Sequence, residues 1–406
     1  MPAMNRILGI ALSASILSAC ATAPRPQKPA PLAATIDHLI AAPPFANAIW
    51  GIEVEDDAGE VVYAHNAHTL LMPASNRKLF SAATDANCIG LDSQLATELW
   101  LDGSDVVIRG DGDPSFGSDR HASQGFQPFI AELQRRGVRS MHDVVADVSR
   151  FDRVTIPGSW KVQNLPSNYS APVDALAFDE NAIGDESVPD AAIWAATQFR
   201  EALVDSGIAV TGRIRVLTRA DAQATARPRG ERIATVQSPM VAQLLASVLK
   251  NSQNLYAEML FKRSSPSGSY DESQNLERRF AIDEAHVAAD EFRLLDGCGL
   301  SPDDLVTPAA LVKILRWMNS PERRGIWWMT LAEPAGEGTL RRRLTNLAQR
   351  MRGKTGTING VNALSGIVAG EKGGYRYFSI LLNHHIADSS DATRVIDAIV
   401  QEIARF

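Results

Sequence analysis

Hydrophobic residues along this chain follow two periods, and each predicts its own kind of element. "AIWGIEVED" and "GEVVYAH" are dense in β-branched and aromatic residues and meet at Asp56-Asp57-Ala58-Gly59, so they predict two strands joined by a turn. A short helix is expected just before them, in "TIDHLIAA". "ELWLDGSDVVIRGDGDPSFG" reads as strands around turns, "FQPFIAELQRRGV" as an amphipathic helix and "DVVADVS" as a strand. Residues 152–190 are rich in Pro, Ser, Asn and Asp and predict little regular structure. Beyond them the helical period dominates, in "AAIWAATQFREALVDSGI", "PMVAQLLASVLKNSQNLYAEMLFKR" and "TPAALVKILRWMN". Two further strands, "VNALSGIVAG" and "YRYFSILLN", flank Glu371-Lys372-Gly373-Gly374, and a last helix runs through "DATRVIDAIVQEIARF". The pattern therefore predicts an α+β chain with strands at both ends and helices between.

Composition changes this picture mainly at the N-terminus. "MPAMNRILGIALSASILSACATAP" has one positive charge, Arg6, then an apolar run from Ile7 to Leu17 that is too short to span a bilayer, which needs ~20 residues. It reads as a signal peptide over residues 1–20. Leu17-Ser18-Ala19-Cys20 resembles a bacterial lipobox, which makes Cys20 the expected lipidation site and implies a membrane partner through a lipid anchor. Ala21 after Cys20 points to outer-membrane sorting from the periplasm. Residues 21–34 are Pro/Ala-rich and read as a tether. The whole chain of 406 residues, 45% hydrophobic with a net charge of −7, has material for a large core and no basic stripe, which argues against nucleic acid as a partner. Cys88 and Cys298 are expected to be unpaired buried thiols, and the histidines form no HExxH, so no metal site is predicted.

Candidate chemistry begins with Ser75-Asn76-Arg77-Lys78. On a helix the two side chains stand ~60° apart, so the lysine amine can serve the serine hydroxyl as a base once burial lowers its pKa. The pattern recurs at Ser247–Lys250, inside an apolar helix where core packing accounts for the serine. Ser-x-Asn also occurs twice. Ser252-Gln253-Asn254 lies between two apolar helical segments, whereas Ser273-Gln274-Asn275 sits in "SSPSGSYDESQNLERR", a polar stretch that reads as exposed. Lys354-Thr355-Gly356-Thr357 occurs once and opens a strand, where the glycine leaves room for a ligand backbone. Lys250 is too near Ser252 to form a separate wall, so Ser75, Ser252 and Lys354 make the coherent set. The long interval between Ser75 and Ser252 points to an insertion over 91–235, which splits the catalytic domain into 35–90 and 236–406.

Three motifs in the order SxxK, SxN, KTG match the set of penicillin-binding proteins and class A β-lactamases. With "VIRGDGDPSFG", "NYSAPVDALAFDENAI", "SQNLYAEML", "DGCGLS", "GEGTLRRR", "GKTGTINGVNALSG" and "FSILLNHH", the chain resembles the class C low-molecular-mass penicillin-binding proteins, the D-alanyl-D-alanine carboxypeptidase/endopeptidase family. The resemblance implies a penicillin-binding-protein/β-lactamase-like transpeptidase fold, with an antiparallel sheet, flanking helices and a reduced accessory insert. It implies Ser75 as nucleophile and Lys78 as base, with Ser252 relaying a proton and Asn254 orienting the acyl side. Lys354 would supply positive field, and Thr355, Gly356 and Thr357 would bind the substrate carboxylate. No cofactor is implied. The implied partners are peptidoglycan peptides ending in D-Ala-D-Ala, with β-lactams as inhibitors. A β-lactamase or esterase on the same motifs, or an idle peptidoglycan-binding lipoprotein, are the alternatives. Where some members carry an acidic residue near the position of Tyr169, this chain has Asn164 and Asn168.

Overall fold

The computed structural model describes residues 31–225 and 230–406; the expected signal peptide, Cys20 and most of the expected tether lie outside the described residues. Helix Pro31–Ala41 begins four positions before the expected start at Thr35. Leu32, Ile36 and Ile40 fall on one buried stripe of it, so the last residues assigned to the tether are part of the packed fold.

The first sheet runs Met351–Ile358, Val361–Ala369, Tyr375–Asn383, Ile49–Asp56, Val61–His65, and every pair in it is antiparallel. The N-terminal hairpin thus docks on the last strand of the C-terminal meander. Gly59 (φ 88°) in one turn and Gly373 and Gly374 (φ 92° and 71°) in the other supply the left-handed backbone those turns need. Both faces of the sheet are covered, which is why its central strands are buried almost from end to end. Helices Pro31–Ala41 and Ser389–Arg405 close one face through Ile36, Ile396, Ile399 and Val400. The other face meets helices Lys78–Ile89, Val241–Lys250 and Pro308–Met318 through Leu79, Leu245, Leu311 and Leu381.

A second five-stranded sheet uses Ile214–Leu217, Val144–Asp147, Asp105–Gly110, Gln94–Asp102 and Glu231–Met240, in that order. It is mixed. Val144–Asp147 pairs in parallel with both of its neighbours, a pairing the strand pattern does not announce, and helix Gln127–Arg135 makes the crossover. It has its own core, built on Phe116, Phe126, Phe129 and Phe199. Between residues 152 and 190 there are only short 3₁₀ turns and two-residue bridges, as the composition suggested.

Two expectations are corrected. The polar stretch from Ser264 to Arg279 is not exposed: its helix Tyr270–Asp283 buries Ser273 completely, because Tyr270, Glu277 and Phe280 on the same face pack inward. Both described cysteines are free, but Cys88 is exposed near the end of its helix and only Cys298 is buried.

Candidate active site

Ser75 does not sit in the α-helix proper. Pro73 and the left-handed Ala74 (φ 47°) turn the chain into a 3₁₀ segment, Ala74–Arg77, which runs on into helix Lys78–Ile89. At three residues per turn, positions i and i+3 eclipse, so Ser75 comes directly over Lys78 rather than ~60° from it. The Lys78 Nζ donates to Ser75 Oγ at 2.9 Å, Asn254 Oδ1 at 2.7 Å and the Cys298 carbonyl at 2.7 Å. Lys78 is fully buried, and that burial lowers its pKa below the usual lysine value, with the nearby Arg77 cation adding to the shift. The Cys298 carbonyl is held by a loop tied to Asp296. That carboxylate accepts from the N–H groups of Cys298, Gly299 and Ser301 and from Trp160 Nε1.

The second motif lies between two helices. Val241–Lys250 ends, and Asn254 opens helix Asn254–Arg263. Ser252 at the break has φ 63°, a strained conformation for a non-glycine residue that persists only where its surroundings dictate it. Its hydroxyl accepts from Lys354 Nζ at 2.9 Å, and Lys354 also donates to the Thr355 carbonyl at 2.7 Å. Burial first, and then the charge of Lys78, push the Lys354 pKa well down. Asn254 Nδ2 donates to the Tyr169 carbonyl at 2.7 Å, which fixes the amide orientation.

The third motif forms the sheet's edge strand. Gly353 exchanges both backbone hydrogen bonds with Ala332, so by the two-residue alternation of a strand Thr355 and Thr357 direct their N–H groups to the same outer side. A Cβ on Gly356 would lie 2.8 Å from the Pro73 carbonyl oxygen and 3.1 Å from Ser75 N. The room made by this glycine is therefore filled by the serine turn itself, not left for a ligand backbone. Thr355 Oγ1 lies 2.8 Å from Thr339 Oγ1.

These elements enclose a cleft of about 700 Å³ whose walls include Ser75, Ser252, Asn254, Thr357, Tyr169 and His384. Lys78 and Lys354 stand behind the two serines. Tyr169, Lys161, Leu300 and His384 were not candidates from the sequence: their positions depend on irregular loops, and the Cys298 carbonyl is a backbone group with no side-chain signal. Ser247 is elsewhere, with its hydroxyl 3.0 Å from His121 Nε2. Among the described residues no carboxylate lines the cleft.

The model of the D-Ala-D-Ala carboxypeptidase 3 (S13) family matches residues 32–191 and 185–405. The chain is 26% identical to the D-alanyl-D-alanine carboxypeptidase of Actinomadura sp. (strain R39), over 91% of this chain and 84% of that one. Penicillin-binding protein 4 from Haemophilus influenzae superposes with a TM-score of 0.80 at 17% identity, covering 91% of this chain and 99% of that chain. A penicillin G-acylated predatory endopeptidase from Bdellovibrio bacteriovorus superposes with a TM-score of 0.56 at 15% identity, covering 87% and 91%. The fold is thus the penicillin-binding-protein type expected from the motifs.

Proposed function

The chain belongs to the D-Ala-D-Ala carboxypeptidase 3 (S13) family, and from that premise we propose that it cleaves D-Ala-D-Ala termini of peptidoglycan stem peptides through an acyl-enzyme on Ser75. The observation that carries this reading is the buried Lys78 amine, 2.9 Å from the Ser75 hydroxyl and displaced from its ordinary pKa by burial. A neutral amine there takes the hydroxyl proton as Ser75 Oγ attacks the carbonyl carbon of the penultimate D-Ala. The peptide C–N bond then breaks as Ser252, within 2.9 Å of Lys354, hands a proton to the departing amine, and the proton held by Lys78 replaces it, leaving Lys78 neutral again. Water attacks the ester and gives its proton to Lys78, which passes it to Ser75 Oγ as the acyl C–O bond breaks, and the shortened peptide leaves.

The N–H groups of Ser75 and Thr357 form the proposed oxyanion hole, each worth ~10²–10³ in rate. The contact of Gly356 with the serine turn supports it by bringing the two strands of backbone together. The outer edge of the Met351–Ile358 strand offers backbone partners to an extended peptide, and Thr355 and Thr357 meet its terminal carboxylate. Asn254 orients the acyl side, and Lys354 adds positive field.

A class A β-lactamase needs a glutamate to activate the deacylating water. The lack of a lining carboxylate among the described residues favours the peptidase. The proposed domain division, 35–90 with 236–406 around an insert at 91–235, is supported by the separate core of the second sheet. Lipid anchoring at Cys20, with a periplasmic site of action, completes the proposal. Purified protein should release D-Ala from a soluble D-Ala-D-Ala peptide and hydrolyse a chromogenic cephalosporin slowly; fast cephalosporin turnover without peptide cleavage would overturn the reading.

A further inference from the structure

Helix Asn254–Arg263 starts at the cleft and ends ~14 Å away along its axis. There Arg150 Nη2 donates to the Arg263 carbonyl at 3.1 Å, beside a second cavity of about 710 Å³. Three guanidinium groups, from Arg109, Arg150 and Arg219, share its wall with Ser149, Gln223 and Pro266. No carboxylate lines it among the described residues.

The three arginines are held differently. Arg150 is fixed by the carbonyls of Pro266 and Ser265, at 3.1 and 2.9 Å, with Asp111 at 3.5 Å from its Nε. Arg219 donates from Nε and Nη2 to the carbonyls of Ser149 and Arg150 and forms no ion pair among the described residues. Arg109 stands 3.8 Å from Asp147 and 3.9 Å from Glu98, too far for hydrogen bonds. Burial, and then the Arg263 cation, push the Arg150 guanidinium down to about 10, with Asp111 and Glu272 pulling the other way. The chain as a whole carries −7, so this positive cavity is a local feature set against the overall charge.

We propose that this cavity is an oxyanion site that holds a carboxylate of a second stem peptide on the cell-wall polymer while the cleft acts on the first. A guanidinium offers a planar fork of donors matched to a carboxylate, and Arg109 and Arg219 have donors to spare. Two-point attachment raises the effective concentration of the next stem peptide at the cleft and adds nothing for a short soluble peptide. The identity of the polymer rests on the peptidase reading; the anion site itself does not.

The test measures sedimentation of the whole chain with purified sacculi, using Ser75→Ala protein so that binding is independent of turnover. Adding Arg109→Gln and Arg219→Gln should weaken binding about tenfold, the worth of one charge-assisted hydrogen bond. Amidating the sacculus carboxylates should bring the parent down to the same level. With Ser75 restored, the two arginine changes should leave kcat/KM on a soluble D-Ala-D-Ala peptide unchanged. Arg109→Gln alone removes two long ion pairs but no hydrogen bond, and circular dichroism of that single variant keeps the test valid if the double change disturbs folding. Equal binding with and without the arginines would overturn the proposal. So would undiminished binding to amidated sacculi, which would point to a phosphate-bearing ligand. Arginine-dependent binding without peptide turnover by the intact serine enzyme would uphold the site and sink the peptidase reading.

Discussion

At the scale of single residues, acylation depends on the buried amine of Lys78. Burial lowers the Lys78 pKa, so the neutral base is present above the depressed value and lost as pH falls through it. The acid limb of kcat/KM should therefore lie below 10.5, the ordinary lysine value, and a limb at or above it would contradict the assignment. Lys78→Ala should slow acylation ~10²–10⁴-fold, as expected for loss of a general base, with circular dichroism showing a folded chain.

Glu258, in the same buried cluster, tests the electrostatics through stability. Burial, and then Asp296, raise its pKa to about 7, so the fold prefers the neutral acid. The sign follows from proton binding: this contribution is complete below the unfolded carboxyl value of ~4.3 and is lost as pH rises through about 7. Thermal melts of Glu258→Gln should show a smaller fall than the parent between those two pH values. Parallel curves would mean that Glu258 is ionised in the fold.

At the scale of elements, the site depends on how closely the serine turn meets the edge strand. Gly356→Ala would put a methyl group against the Pro73 carbonyl and Ser75 N, separating the two proposed oxyanion donors. Its kcat should drop by ~10²–10³, the cost of losing one such donor, while the sheet still folds. Wild-type turnover would show that the contact is slack. The duplicated motifs offer a control at the same scale. Ser252→Ala should cost far more activity than Ser247→Ala, which removes only a hydroxyl paired with His121.

Much of this was legible in the sequence. Strand hairpins with glycine turns, amphipathic helices and three spaced motifs each carry their own local signal. Other features do not have one. The parallel pairing of Val144–Asp147 depends on contacts distant in sequence. The burial of Ser273 follows from neighbours on its helix face that a polar composition conceals. The Cys298 carbonyl beside Lys78 and the 3₁₀ geometry under Ser75 are backbone properties, and side-chain motifs cannot report them.

At the scale of the whole molecule, residues from both ends of the chain build one sheet, and the second sheet packs its own core between them in sequence. The proposed lipid anchor would fix this body to a membrane. A Cys20→Ala chain should move from the membrane fraction to the soluble periplasmic fraction, since each acyl chain contributes ~0.8 kcal/mol per buried CH₂. Equal partitioning of the two proteins would remove the anchor from the account. The central claim is that Ser75 is the nucleophile, and covalent trapping tests it most directly. A β-lactam presents a strained amide and a carboxylate to the same groups as the peptide, and the opened ring stays tethered, which slows its release by water. Mass spectrometry of protein incubated with labelled penicillin should find one adduct, on the peptide containing Ser75. An adduct on Ser247, or none on a folded protein that still cleaves D-Ala-D-Ala peptides, would contradict the claim.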